Sequence, residues 1–471
     1  LRELTAAWRD QAQPRERRLI ISGDATRPAI AAAIDLPWEL LHDETGFLIQ
    51  GKQPTQFQRR LGGGEMPMPM PMPVPPPLRI LAISPRPDTE PTGHADHRRS
   101  ALPLIEALAD LGELVETQAL TPPNLPALEK CLNDAWAAGR PFTALYLDSY
   151  QHDDHDSGEP LFGFEASYES HVPLCRDAHF VTAHALAALL SSYRIRLVAL
   201  VCSTNSARSG ATAHLASILL DAGIAAVVTF QPATPVETLR RFWTAFYEEL
   251  LRGARVAQAL FVSQHRLAGD SYRRQGLGGG GVHLQDWFTC KLYLGQHDPR
   301  LFLRPPLELW RRLTQPSQAS APSALLPAPP AAGFIGRSRD LQRLERLIEQ
   351  QPTLFLRGQS NVGKTAIAVE LARWLACCGR YRHLAYISSD DAGDIGALLD
   401  NLGRQLLPEG AHWSAGRYPT LWQATDYLRQ TLLNQPTLIV LDHLDQWPSD
   451  QAEAFDRFWK QLMEDWTPLR L

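Results

Sequence analysis

No apolar run in this 471-residue chain approaches the ~18 residues that a membrane-crossing helix needs, so a membrane is not an expected partner. Charge of one sign is also missing. Forty-six Lys and Arg against 51 Asp and Glu leave a net charge of −5, which gives no global attraction to nucleic acid or anionic lipid. Cysteine is sparse: Cys131, Cys175, Cys202, Cys290, Cys377 and Cys378 show neither the spacing of a disulfide framework nor a C-x-x-C metal pair. That usage suits a reducing, cytoplasmic setting. The first residue is Leu1, and the last follows soon after a predicted strand, so the sequence reads as a fragment at both ends and gives no reading of a signal peptide. What is present is ordinary globular material, 44% hydrophobic and 21% charged, enough for two or three domains with large cores.

Two low-complexity stretches divide the chain. Glu65 to Pro77 (EMPMPMPMPVPPP) cannot enter a helix or a central strand, because its prolines lack N–H donors; it is expected to be an extended, exposed excursion. Thr314 to Gly333, rich in Pro, Ala and Ser, has the composition of a linker. The expected domains are therefore 1–312 and 333–471, joined by 313–332. Within the first, Arg79–Ser84, Ala144–Asp148, Arg196–Cys202 and Ala225–Phe230 read as buried strands. Leu102–Leu111, His184–Leu190, His214–Ala222 and Thr238–Leu251 read as helices, the last with Leu239, Phe242, Phe246 and Leu250 as its buried stripe. Alternating strands and helices predict an α/β fold, a mostly parallel sheet covered on both faces, with active residues at the carboxyl ends of strands. That rule singles out Tyr150 and Cys202. Gln275–Gly281 (QGLGGGG) reads as a flexible loop.

Beyond the linker, a predicted strand at Thr353–Leu356 leads into RGQSNVGKTAIAVELARWLA. Gly358, Gly363, Lys364 and Thr365 satisfy G-x-x-x-x-G-K-[ST], with Asn361 and Val362 in the intervening turn. Such a loop wraps backbone N–H groups around a phosphate at a helix N-terminus. Lys364 would reach the β- and γ-phosphates of ATP, and the Thr365 hydroxyl would ligate Mg²⁺. A second strand, Thr437–Leu441, ends in Asp442, which would anchor the metal through water; Asp445 follows three residues later.

The apolar run followed by D-x-x-D, the Phe334–Arg337 (FIGR) segment before the first helix, and the spacing of roughly eighty residues between the two motifs resemble the STAND class of signal-transducing NTPases, which includes the NACHT and NB-ARC groups. The resemblance implies a partial P-loop NTPase domain, with Phe334 and Arg337 near the adenine and Asp445 as the distal acid linked to hydrolysis. His443 stands after Asp442 where an acid would favour turnover, so a slow switch is expected. The resemblance also implies that the sensor of such a switch lies beyond residue 471, and that a homo-oligomer forms on activation.

Residues 1 to about 312 resemble a CHAT domain, a caspase-like fold of the cysteine-peptidase clan, on LPWELLHDETGFL (36–48), RILAISPRPD (79–88), the stretch RLVALVCSTNSARSGATAHLASILLDAGIAAVVTFQ that contains Cys202, FWTAFYEELLRGARVAQAL, and DWFTCKLYLG. The resemblance implies Cys202 as nucleophile, with an oxyanion hole in Ser203–Ser206. The family's His-Phe-x-Gly-His-Gly aligns with Tyr146–Gln151, which puts tyrosines at both histidine positions; Tyr150 stands at the catalytic one. A phenol titrating near pH 10 is a poor base for a thiol. His152 and His155, in QHDDHD, are the nearby imidazoles. That loop reads as a base donor, as a solvated turn, or as part of a metal site. Three readings follow: a nucleotide-driven switch with a degenerate interaction domain and a protein partner, a regulated cysteine endopeptidase with a protein substrate, or a small-ligand site at the same strand ends.

Overall fold

The computed structural model describes residues 17–470 except 45, 52–53, 63–70, 90–97, 110, 155–156, 168–176, 205–209, 232–233, 274–280, 309, 311–324, 329–333, 408–412, 433–434, 448–450 and 466–468; at 202–204 it describes the backbone. The fold is mixed α/β. Ten strands form the main sheet: β1 (Arg17–Gly23), β2 (Thr55–Leu61), β3 (Leu78–Ile83), β4 (Val115–Ala119), β5 (Ala144–Asp153), β6 (Pro160–Glu165), β7 (Ala178–Thr182), β8 (Leu197–Thr204), β9 (Ala226–Phe230) and β10 (Cys290–Leu294). Their order is β1-β2-β10-β9-β8-β5-β3-β4, with β6 paired to β5 and β7 to β6. The central pairs β9–β8–β5–β3–β4 are parallel, whereas β10 on β9 and the β5–β6–β7 hairpins are antiparallel.

Both faces of this sheet are covered, which is why its central strands read as unbroken apolar runs. Along β5, Ala144 and Tyr146 enter one core while Leu145 and Leu147 enter the other. The first core is closed by α2 (Arg98–Ala109), α6 (Val236–Leu251) and α7 (Val256–Gly269), the second by α1 (Pro28–Ile34), α3 (Leu125–Ala137), α4 (Ala183–Ser192) and α5 (Ala211–Asp221). The expected stripe of α6 is wholly buried. Trp243 lies between its residues and meets Tyr146 edge-on with 5.7 Å between ring centroids. Helix starts follow local chemistry: Asn124 caps α3 by accepting from the Ala127 amide at 2.9 Å, and Thr182 caps α4 by accepting from Ala185. Gly210 opens α5 at φ +88°, against α1, where a Cβ would stand 2.5 Å from the Ala32 nitrogen.

The remaining helices are α8 (Ser338–Gln350), α9 (Lys364–Cys377), α10 (Ile395–Leu406), α11 (Leu421–Thr431) and α12 (Ala452–Asp465); with β11 (His383–Ser388), β12 (Thr437–Asp442) and β13 (Leu469–Arg470) they build a separate parallel sheet. One apolar core runs from the main sheet through α8 and α9 to Leu384 and Leu438 of the second.

Two expectations are corrected, and two low-complexity segments gain anchor points. Thr353–Leu356 is not a strand: it pairs with nothing in the three-stranded sheet, whose edge strand β13 has only two residues, and Phe355 stays 65% exposed. Gln151–Asp153 are not loop. They extend β5 and pair with β6, and beyond them the Asp154 carbonyl receives the Gly158 amide while the Asp154 amide donates to the Glu159 carbonyl. The proline-rich excursion is tied down at Val74, whose N–H, absent from the neighbouring prolines, donates to the Leu301 carbonyl while its own carbonyl accepts from Leu303. Within the linker, Leu326 is buried and the Pro327 carbonyl accepts from Arg373, since an apolar side chain beside α9 gains more by burial than by solvation. Most of Gln275–Gly281 lies outside the described residues. Among the described residues no helix is long and apolar enough to cross a membrane.

Candidate functional sites

The first site lies at the carboxyl ends of β5 and β8. Backbone register sets Cys202 opposite Ser149, and Tyr150 opposite Ser203. Tyr150 is 4% exposed and Ser149 is fully buried, its hydroxyl donating to the Gly163 carbonyl of β6 at 2.8 Å. His152 pairs with Leu161 and is exposed, its ring 5.9 Å from that of Phe180. It sits three residues beyond Ser149, an axial separation of about 10 Å from the level of Cys202. His152 thus lies beyond the level of Cys202 along β5, one residue past the last pair of the ladder with the cysteine strand, Gln151 with Thr204. His155, the Cys202 side chain and Asn205–Ser206 lie outside the described residues. The thiols of Cys131, Cys290, Cys377 and Cys378 are all pushed up from the usual value by burial, which makes them poor nucleophiles. Among the described residues no cluster of His, Cys, Asp and Glu could hold a metal.

Behind the strand ends lies a buried polar array that sequence reading missed. The Arg86 guanidinium ion-pairs with Asp148 and donates to the Asp148 carbonyl at 3.0 Å, while the Arg86 amide donates to Glu165 at 3.1 Å. All three residues are at most 6% exposed. Their separation in sequence hides the cluster; the one available signal was an arginine and an aspartate next to apolar strands.

The second site is the turn 358–365. Gly363 at φ +88° opens α9, and Asn361 at φ +63° bends the chain before it. The Lys364 ammonium donates to the carbonyls of Gly358 and Gln359 at 3.0 and 2.9 Å, so it folds over the loop it belongs to. Val362 is 37% exposed on that loop. The Thr365 hydroxyl donates to Asp442 Oδ1 at 3.0 Å from across 77 residues of sequence, which sets the start of α9 against the end of β12. Asp442 also accepts from the Tyr386 hydroxyl at 2.8 Å and from the His443 amide at 3.0 Å. Burial, then the bond to Asp442, pushes the Tyr386 phenol up, so it remains a donor. His443 adopts φ +58° and its Nδ1 lies 3.0 Å from Asp390, whose carboxylate holds the imidazole above its usual 6.5. Asp445 is exposed in a short 3₁₀ turn. Arg337 is exposed at the start of α8, and Phe334 lies under the Arg98 guanidinium of α2, 5.4 Å from its carbon.

Thr365 and Asp442 supply hard oxygen donors, which suits Mg²⁺. The backbone turn with Lys364 supplies N–H groups and a cation, which suits a polyphosphate.

Residues 150–320 match the family model of the CHAT domain, a caspase-like module. The match begins inside β5, so the strands before it lie outside the matched stretch. The initiator caspase Dronc of Drosophila is similar at 10% identity over 48% of this chain and 84% of its own, with a TM-score of 0.25. A protein of Geobacter sulfurreducens is similar at 12% identity over 48% of this chain and 97% of its own, with a TM-score of 0.27. No curated protein matches the chain.

Proposed function

We propose that the chain is an ATP- and Mg²⁺-binding switch of the STAND type, whose caspase-like module is the part that it regulates. The observation that carries this reading is the meeting of Thr365 with Asp442. Lys364 and the amides of the turn would hold the β- and γ-phosphates, and Thr365 and Asp442 would hold the metal, which adds positive charge beside those phosphates. Lys364 would leave its two loop carbonyls for phosphate oxygens, an exchange of neutral for charged acceptors. His443, where an acid would favour hydrolysis, suits slow turnover. Titration with a fluorescent ATP analogue tests this: saturable binding that weakens on adding EDTA is expected, and no saturation up to millimolar analogue would sink the reading.

For the caspase-like module the geometry favours an interaction role over catalysis. Tyr150 is buried where the family carries its base, and His152 lies about 10 Å along the strand from the level of Cys202. The competing reading, a cysteine endopeptidase with Cys202 as nucleophile and His152 or His155 as base, keeps the support of the CHAT match. A peptidyl acyloxymethyl ketone separates the two. A scaffold gives labelling no faster than free cysteine; labelling that is about a hundredfold faster and lost in Cys202→Ala would establish the peptidase.

A further inference from the structure

The helix that precedes the turn 358–365 lays its middle turn on the polar array at the end of β6. In α8, Gln342, Glu345 and Arg346 share one face at i, i+3 and i+4 spacing, and all three are buried. Arg346 ion-pairs with Glu165 at the end of β6, and Gln342 donates to the same carboxyl at 3.4 Å. Thr121 donates to Glu345 at 3.1 Å. From Glu165 the contacts continue inward through the Arg86 amide and guanidinium to Asp148, which stands opposite Val201 in the β5–β8 ladder, one residue before Cys202. A second tie, Arg98 of α2 to Glu370 of α9, fixes the next helix to the same flank.

We propose that this face is a coupling joint: α8 docked on Glu165 holds the Arg86–Asp148 pair, and with it the end of β5, in register beside Cys202. The reason is electrostatic. Two cations and two anions close in buried pairs, with the buried Glu345 carboxylate beside them accepting from Thr121, and a buried charge tolerates no missing partner. With α8 lifted, Glu165 loses the Arg346 charge and keeps the Arg86 amide, so its carboxylate competes with Asp148 for the guanidinium of the same residue. Contact is therefore all or none, unlike the graded polar contact usual between domains. The joint extends the switch reading by naming how the second sheet would act on the first, but it needs no bound nucleotide.

The test is Arg346→Glu in the full chain, read by hydrogen exchange and by alkylation of Cys202 with iodoacetamide, with Cys131 as internal control. Amides of 338–350 should exchange at least ~10-fold faster, those of 148–153 at least ~5-fold faster, and the Cys202 rate should change at least ~3-fold with Cys131 unaltered. Faster exchange confined to 338–350, with 148–153 and Cys202 as in the wild type, would overturn the proposal. Should the charge reversal unfold the chain, Thr121→Val removes only the hydrogen bond to Glu345. It should raise exchange in both segments ~2-fold; an effect in neither, or in 338–350 alone, overturns the coupling. Because none of these readings involves ATP, failure here leaves the nucleotide reading standing, and the reverse holds equally.

Discussion

Lys364→Ala should weaken ATP binding by at least ~100-fold, or about 2.7 kcal/mol, while the melting temperature of the unliganded protein moves by no more than ~1 °C. The contrast follows from where the ammonium lies. In the unliganded turn it donates, among the described residues, to the carbonyls of Gly358 and Gln359, both in an exposed setting, so its loss removes two exposed bonds. In the nucleotide complex it would face several phosphate charges at a helix N-terminus, where charge-assisted bonds are about twice as strong as neutral ones. Isothermal titration of variant and wild type with Mg·ATP, alongside a thermal melt, reads both quantities. Unchanged affinity would remove the nucleotide from this site.

Arg59→Met should cost about 3–5 kcal/mol of stability, read as a fall in the urea midpoint. Arg59 is wholly buried on β2 and pairs at both ends of its fork with Glu39, at 2.5 and 2.7 Å, while two further N–H groups donate to the carbonyls of Ile34 and Leu36. Burial acts to lower its pKa, yet the facing Glu39 carboxylate outweighs burial and raises it. Methionine fills the space but leaves a fully buried carboxylate and two carbonyls without their donor. Glu39→Gln with Arg59→Met should recover much of the loss, because the lone charge is then gone. A single variant as stable as the wild type would show that water reaches Glu39. The same pair explains the PWELL segment physically: Trp38–Leu40 form a 3₁₀ turn whose glutamate points inward to clamp β2.

How much of this was legible depended on how local each cause is. The strands at 79–84, 144–148, 196–202 and 225–230 were readable because double-sided burial demands unbroken apolar runs. The stripe of α6 was readable because a helix repeats every 3.6 residues. Thr353–Leu356 shows the limit. Its apolar run suggests a strand, but a strand exists only through its neighbour's backbone, and no described neighbour pairs with it. Gln151–Asp153 failed the other way: polar residues read as a turn became a ladder once β6 folded back upon them.

The sequence by itself determined the α/β class, the G-x-x-x-x-G-K-[ST] spacing at 358–365, the candidate partner acid at Asp442 and the tyrosines at 146 and 150, because each rests on a period or a spacing within one short segment. Only the tertiary structure decided that Thr365 touches Asp442, that His152 runs away from the level of Cys202, and that Arg346 closes on Glu165. Those outcomes turn on which charges are sealed from water together. That depends on the packing of segments up to 181 residues apart, from Glu165 to Arg346, and leaves no periodic trace along the chain.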